Sequence, residues 1–288
     1  MNIQASVAEA GGQERAPVKR IALGISYDGA PWLGWQSQPG GRTVQDVLEQ
    51  ALSRFVAHPV HTICAGRTDT GVHALNQTVH LDTSAERSLE SWVRGLNALL
   101  PPSIAVQWAR AVPADFHARF SAQGRHYVYL VRQSRVRSPL TQGKAAWVFR
   151  PLDLGLMQEG AGHLLGRHDF SAFRSSECQA ASPVRTLTRA HIEQQGDFFL
   201  FSFSANAFLH HMIRNLMGTL IYIGQGRQPA SWTAQLLQQA DRRLAAPTFD
   251  ASGLYLAGVD YPSEFGLPAA APYEQLRELT GLRFGQTL

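Results

Sequence analysis

Large apolar or aromatic residues occupy every second position from Ile21 to Tyr27, within the stretch 19–27. A period of two residues predicts a β-strand with one buried face. After Thr43 the apolar positions recur every three or four residues, which predicts a helix, and Thr43 with Asp46 resembles the capping box that begins one. These patterns predict a strand followed by an amphipathic helix.

The same two patterns continue to about residue 112. They predict strands at 60–65, 77–82 and 104–112, and a helix at 88–100 that ends before Pro101 and Pro102. The order of elements is then β-α-β-β-α-β, the split βαβ arrangement.

The second part of the chain repeats this order without repeating the sequence. The predicted elements are strands at 125–132, 184–194, 198–205 and 254–260, and helices at 153–165, 206–223 and 231–242. Asn206 is the expected N-cap of the middle helix. We therefore predict two similar α+β halves, at 18–113 and 114–262, with a flexible N-terminal tail at 1–17 and a C-terminal tail at 263–288.

Composition narrows the function classes. The 288 residues include 26 Lys and Arg against 22 Asp and Glu, a net charge of +4 that permits a polyanionic partner without requiring one. Cys64 and Cys178 are too few for a disulfide framework and too far apart for a zinc motif. No apolar run reaches the ~18 residues that span a bilayer, and the N-terminal residues lack a signal-peptide pattern. We expect a cytoplasmic protein without a membrane segment.

The densest group of reactive side chains lies at residues 65–74, where Asp69 is the only acid and Arg67 and His73 flank it. A neighbouring cation favours the ionised carboxylate, so we expect Asp69 to be a nucleophile or an electrostatic anchor, with His73 as the nearby candidate base. The structural alternative is a tight turn with an ordinary surface ion pair between Arg67 and Asp69. The run matches neither the Asp-x-Asp motif of aspartate phosphatases, since residue 71 is glycine, nor a Walker loop.

Three residues share one face of the predicted strand at 125–132, namely Arg125, Tyr127 and Tyr129. Aromatic side chains that alternate with arginine suit stacking on unpaired bases. The same pattern is ordinary in half-buried strands, because tyrosine is a favoured strand residue. The strand is therefore a candidate for RNA contact, with a structural role as the alternative.

The predicted helix at 206–223 places His211, Arg214 and Asn215, and marginally His210, opposite its apolar face, with Gly218 one turn beyond. A solvated outer face of the helix is the structural alternative. A cationic stripe near a helix start suits a phosphate or a carboxylate, and a glycine on that face indicates close packing. A metal site is not expected, because adjacent histidines on a helix point about 100° apart and the segment offers no acidic partner.

Two other groups bear on binding. Trp32 and Trp35 lie in a glycine-containing loop, and we expect them to cover the first core rather than to form an exposed stacking surface. Basic residues at 132–137 and 185–189 are dispersed, which predicts electrostatic binding spread over a surface.

Together these motifs resemble those of the tRNA pseudouridine synthase A family, which isomerises uridines in the anticodon stem-loop of tRNA. The resemblance extends from residue 19 to residue 262. It is most specific in five runs, at 20–29, 64–73, 115–122, 206–215 and 253–256.

The resemblance implies a role for five residues. Asp69 corresponds to the catalytic aspartate, Tyr127 to the tyrosine that stacks on the target base, Arg67 to the arginine implicated in displacing the uridine, Arg214 to the basic partner of the aspartate, and Leu254 to an apolar residue beside the base pocket. Whether the carboxylate acts on the sugar C1′ or on the base stays open.

The resemblance also implies a fold and partners. The expected fold is α+β, with two similar βαββαβ halves that form one extended, mainly antiparallel sheet, helices on one face and a central cleft. The expected reaction is the isomerisation of uridines 38, 39 and 40 of tRNA with base flipping, by a homodimer that uses no cofactor and no metal. Thr70 stands where the family commonly has alanine, a departure that should not affect the chemistry.

Two other function classes are compatible with the residues taken alone. A non-catalytic RNA-binding module would use the same basic and aromatic surface, although the RRM signature is absent. A hydrolase with an aspartate nucleophile would act on a small glycoside or nucleoside, although the run at 65–74 lacks the second carboxylate that most such enzymes need.

Overall fold

The computed structural model describes residues 17–269, together with Leu276 and Gly281. The predicted tails at 1–17 and 263–288 therefore lie largely outside the described residues. The helices and strands are β1 Lys19–Tyr27, α1 Val44–Val56, β2 Ile63–Cys64, β3 His73–Thr83, α2 Leu89–Asn97, β4 Ile104–Val112, β5 Gly124–Gln133, β6 Ala146–Val148, α3 Leu154–Gly162, β7 Gly166–Asp169, β8 Val184–Gln195, β9 Phe198–Ala205, α4 Met212–Gly224, α5 Trp232–Gln239 and β10 Leu254–Asp260.

The ten strands form one sheet in the order β4-β1-β3-β10-β5-β9-β8-β7, with β2 beside β3 and β6 beside β5. All pairings are antiparallel except β3 with β10 and β5 with β6. The last strand lies between the two halves: Tyr255 pairs with His73 of β3, and Leu256 pairs with Tyr127 of β5. The predicted extended, mainly antiparallel α+β sheet is confirmed.

Helices α1 to α5 pack on one face of this sheet. In the first half, Leu48 and Trp92 from the two helices share a core with Leu23 of β1. In the second half, the three helices bury a larger core against β5, β8 and β9, in which Phe201 is fully buried. A smaller cluster on the opposite face includes Leu130, the neighbour of the inward Tyr129 on β5. The expected placement of the helices on one face is confirmed.

Local signals placed several boundaries correctly. Strands β1, β4, β9 and β10 have the predicted bounds, and Thr43 is the N-cap of α1, since its hydroxyl accepts from the Asp46 amide at 3.2 Å. The strand predicted at 60–65 is reduced to Ile63–Cys64, and β3 begins at His73 instead of residue 77 because β10 pairs with its first residues.

The predicted helix start at Asn206 is wrong. Helix α4 begins at Met212, because His211 has a left-handed backbone (φ 60°, ψ 4°) that helical residues do not adopt. The Asn206 side chain instead accepts hydrogen bonds from the amides of Thr186 and Ala207, each at 3.0 Å. Residues 206–211 are therefore a loop that joins β9 to α4.

Candidate active site

The loop that follows β2, residues 65–72, carries Asp69 and is termed the Asp loop. Its conformation is set by Thr68, whose carbonyl accepts from the Trp35 amide at 3.0 Å and whose hydroxyl lies 2.7 Å from that of Tyr27. Gly34 (φ +83°) lets the loop that carries Trp35 approach the Asp loop, since a Cβ at Gly34 would lie 2.8 Å from the Thr68 oxygen. Trp35 is 1% exposed, as predicted, so the Asp loop rests on the first core.

Three nitrogen atoms surround the Asp69 carboxylate. Arg214 donates from Nη1 to Oδ2 at 3.0 Å, His211 Nε2 lies 3.2 Å from Oδ2, and His210 Nε2 lies 3.4 Å from Oδ1. The Asp69 side chain is 24% exposed, so the group is partly shielded but still open to solvent. The alternative of an Arg67–Asp69 ion pair is wrong: Arg67 is exposed, and among the described residues its guanidinium forms no ion pair or hydrogen bond.

Arg214 is bonded to Phe249 through both its side chain and its backbone. Its Nε donates to the Phe249 carbonyl at 3.0 Å, and the Phe249 amide donates back to the Arg214 carbonyl at 3.0 Å. The predicted close packing at Gly218 is present, since a Cβ there would lie 2.2 Å from the Pro247 oxygen. Asn215 lies fully buried and binds the same segment, instead of facing outward as predicted.

Tyr127 lies on β5 where the two halves meet, and it packs against both cores. Its hydroxyl is close to the Asp loop, since a Cβ on Gly66 would lie 3.8 Å from it, and its ring meets Phe208 edge-on at 5.2 Å. Burial raises the pKa of Tyr127, and the Asp69 carboxylate raises it further. The phenol is therefore neutral at physiological pH, which suits an aromatic surface that contacts a base.

The other two residues on that strand face have structural roles. Tyr129 is fully buried and donates its hydroxyl proton to the Asp250 carbonyl. Arg125 donates to four backbone carbonyls, those of Ala122, Asn206, Ala65 and Arg119. Of the three side chains predicted for RNA contact on this strand, that of Tyr127 alone forms no such bond within the described part of the chain.

Leu254 opens β10 beside Tyr129 of β5 and is 5% exposed. It belongs to the second-half core, which also contains Val72 at the end of the Asp loop. Leu254 is thus part of the apolar cluster on which the end of the Asp loop packs.

His73, the expected base, is engaged elsewhere. Its Nδ1 accepts from the Gly29 amide at 3.0 Å, and its Nε2 donates to the Gly143 carbonyl at 2.6 Å. The histidines that contact Asp69 are His210 and His211, which lie in the loop before α4 rather than on a helix. The prediction that these histidines have no acidic partner was therefore wrong, because Asp69, which is far away along the chain, is that partner.

Comparison with known proteins identifies close sequence relatives. The profile of the tRNA pseudouridine synthase family matches residues 25–121 and 161–262. A tRNA pseudouridine synthase A of Bordetella petrii is 62% identical over 250 residues, covering 86% of this chain and 93% of the relative. One of Burkholderia mallei is 59% identical over 251 residues, covering 87% and 93%.

Structural comparison gives weak likenesses to solved structures. A crystal structure of a Cbf5-Nop10-Gar1 complex aligns with a TM-score of 0.32 at 15% identity, covering 70% of this chain and 45% of that one. In the part of the chain that the structure describes, no helix has the length and apolar character needed to cross a membrane.

Proposed function

We propose a function on the premise that this chain belongs to the tRNA pseudouridine synthase family. The chain is an isomerase that converts uridine to pseudouridine in tRNA. In our proposal Asp69 carries the reaction on the anticodon stem-loop, at uridines 38, 39 and 40. The observation that supports it is a single carboxylate, ion-paired with Arg214 at 3.0 Å, at the junction of the two halves of the sheet.

The reaction is an isomerisation, so its atoms balance without a co-reactant. The bond from N1 to C1′ breaks, the base turns, C5 bonds to C1′, and the proton on C5 is lost while N1 gains one. Asp69 acts either on the sugar C1′ or on the base, and both routes require an ionised carboxylate that holds its position.

Arg214 holds the Asp69 carboxylate in place. Its guanidinium is bonded to the Phe249 carbonyl and donates to Asp69, so a preorganised cation contacts one oxygen of the carboxylate. Preorganised charges in a partly dry site need no reorganisation during reaction, which is how they lower a barrier.

In our proposal the other three residues of the site act when the target base flips out of the stem. A uridine inside a stem has to leave its stack, and Tyr127 offers an aromatic surface near the Asp loop for the flipped base. Arg67 is exposed and has no partner among the described residues, so it is available to fill the vacated space. Leu254 provides apolar packing beneath the site. We further propose that the enzyme works in the cytoplasm as a homodimer without a cofactor, as the family resemblance implies.

The test is tritium release from tRNA transcripts labelled at C5 of uridine, with the purified chain in EDTA. We expect release with wild type, and pseudouridine at positions 38–40 when each position is mapped. Asp69→Asn should abolish release while it retains tRNA affinity within about threefold. Full activity in that variant would exclude Asp69 from the chemistry, and sedimentation velocity checks the dimer.

A further inference from the structure

Asp69, His210 and His211 each direct one potential metal-ligand atom into a common space. The two ring nitrogens and a carboxylate oxygen all lie within 4.8 Å of one another. The closest separations are 3.4 Å for His210 Nε2 to Oδ1 and 3.2 Å for His211 Nε2 to Oδ2. Neither separation has hydrogen-bond geometry, in contrast to the Arg214 contact.

The 3.4 Å separation of His210 Nε2 from Asp69 Oδ1 suits two ligands of a tetrahedral ion. Two ligands at the ~2.0–2.1 Å bond lengths of Zn–N and Zn–O lie about 3.3 Å apart at the tetrahedral angle. We propose that Asp69, His210 and His211 bind one divalent transition-metal ion of the zinc type, and that this binding reversibly blocks isomerisation. Three protein ligands leave the fourth position to water.

The ligands are largely positioned before a metal arrives. Both backbone polar groups of His210 form hydrogen bonds. Its amide donates to Cys178 Sγ at 3.4 Å, and its carbonyl accepts from the Ser175 amide at 3.1 Å. The His211 carbonyl accepts from the Asn215 amide at 2.9 Å, and the two rings lie 4.0 Å apart, centre to centre. The backbone that carries both histidines is therefore held before a metal binds, which reduces the conformational entropy lost on binding.

The donor set selects the class of metal. Two imidazoles and one carboxylate favour Zn²⁺, Co²⁺, Ni²⁺ or Cu²⁺ over Mg²⁺ and Ca²⁺, which prefer oxygen ligands.

Arg214 opposes the binding of a cation here, because its guanidinium is positively charged and occupies Oδ2. A carboxylate has about four lone-pair sites on two oxygens, so Oδ1 can bind the metal while Oδ2 keeps its arginine. The His210, His211 and Asp69 side chains are 36%, 27% and 24% exposed, so an ion reaches them from solvent without unfolding.

The block on activity rests on the proposed role of Asp69, because a metal-bound carboxylate is no longer free to act on the nucleotide. At a Zn²⁺ concentration ten times the Kd, mass action should leave roughly one-tenth of the activity, and EDTA should restore it.

The binding test uses the full chain without tRNA. Co²⁺ absorption should show a tetrahedral band that saturates at one ion per chain, and calorimetry with Zn²⁺ should give the same stoichiometry. His210→Phe keeps a planar ring without nitrogen, and His211→Asn suits the left-handed backbone, so each variant should fold while it loses at least about tenfold in affinity. The control His191→Phe, at an exposed position on β8, should bind like wild type.

The outcomes separate the two proposals. An active enzyme that binds neither ion up to millimolar concentration, or that binds equally well after His210→Phe and His211→Asn, overturns the metal site and leaves the proposed function intact. Stoichiometric binding at this site with undiminished tritium release overturns the block and the role of Asp69 together. A chain inactive in EDTA contradicts the proposed function, and the Co²⁺ titration still decides the metal site.

Discussion

Gly218→Ala should weaken both the stability and the catalysis of this enzyme, although alanine is the better helix former. In an unobstructed helix this change stabilises by about 1 kcal/mol. Here the new Cβ would lie 2.2 Å from the Pro247 oxygen, about 1.2 Å short of ordinary contact. Because the obstacle is backbone, the segment that contains it has to move. Overpacking of this kind costs about 1–3 kcal/mol, which outweighs the gain in helix propensity.

The same movement reaches the site. Phe249, two residues after Pro247, accepts the Arg214 Nε hydrogen bond at 3.0 Å, and Arg214 in turn orients Asp69. A displacement of about 1 Å in a catalytic group costs up to about a hundredfold in rate. We therefore expect kcat to fall by about 10–100-fold, with tRNA affinity within about twofold of wild type.

The assay is single-turnover tritium release, with filter binding for affinity and urea unfolding for stability. Gly162→Ala is the control, since this glycine also lies in a helix, as the last residue of α3, and a Cβ there would meet nothing within 4 Å. The control should leave kcat unchanged and the free energy of unfolding unchanged or slightly raised. If Gly218→Ala behaved like Gly162→Ala, the close approach of Pro247 would not position Arg214.

Three further predictions concern substrate binding and folding. Tyr127→Phe should retain tRNA binding and activity whereas Tyr127→Ala should lose at least about tenfold in affinity for the target stem-loop; equal binding by the two variants would refute stacking. The affinity for tRNA should fall steeply with salt in filter binding, because exposed arginines would contact phosphates, and a flat profile would contradict this. Burial and Arg20 lower the pKa of His80 to about 4. Since the unfolded ring takes up its proton first, the free energy of unfolding should decrease as pH falls from about 6.5 towards 4. Urea unfolding of His80→Asn should show a shallower slope, and an equal slope would assign the effect to other groups.

The parts of the fold that the sequence predicted depend on neighbours in the chain. The strand β1 follows from alternation, and α1 begins directly after Thr43 because the Thr43 hydroxyl accepts from the amide three residues on. The start of α4 was predicted wrongly because a contact between residues far apart in the chain decided it. Asn206 is a good N-cap by type, but its side chain bonds to Thr186 on β8, a contact that no local pattern encodes.

The candidate site shows the same division. Sequence motifs and the resemblance named Asp69, Arg214 and Tyr127, whose functional roles stay predictions until the variants are assayed. Neither periodicity nor spacing indicated that His210 and His211 face Asp69, since both were assigned to a helix without an acidic neighbour. The unusual backbone of His211 redirects the pair, and this conformation becomes visible only in three dimensions.

The sequence by itself determined the strands β1, β4, β9 and β10, the start of α1 and the family resemblance, because these depend on periodicity, capping and local motifs. The short strands β6 and β7 were not predicted. Only the tertiary structure decided which side chains meet. Asp69 and Arg214 are 145 residues apart in the chain, and they come within 3.0 Å because β10 joins β3 to β5 and the loop before it holds Arg214 in place. Contacts over such separations arise from the packing of a whole sheet, so a single carboxylate acquires its partners only when both halves have folded.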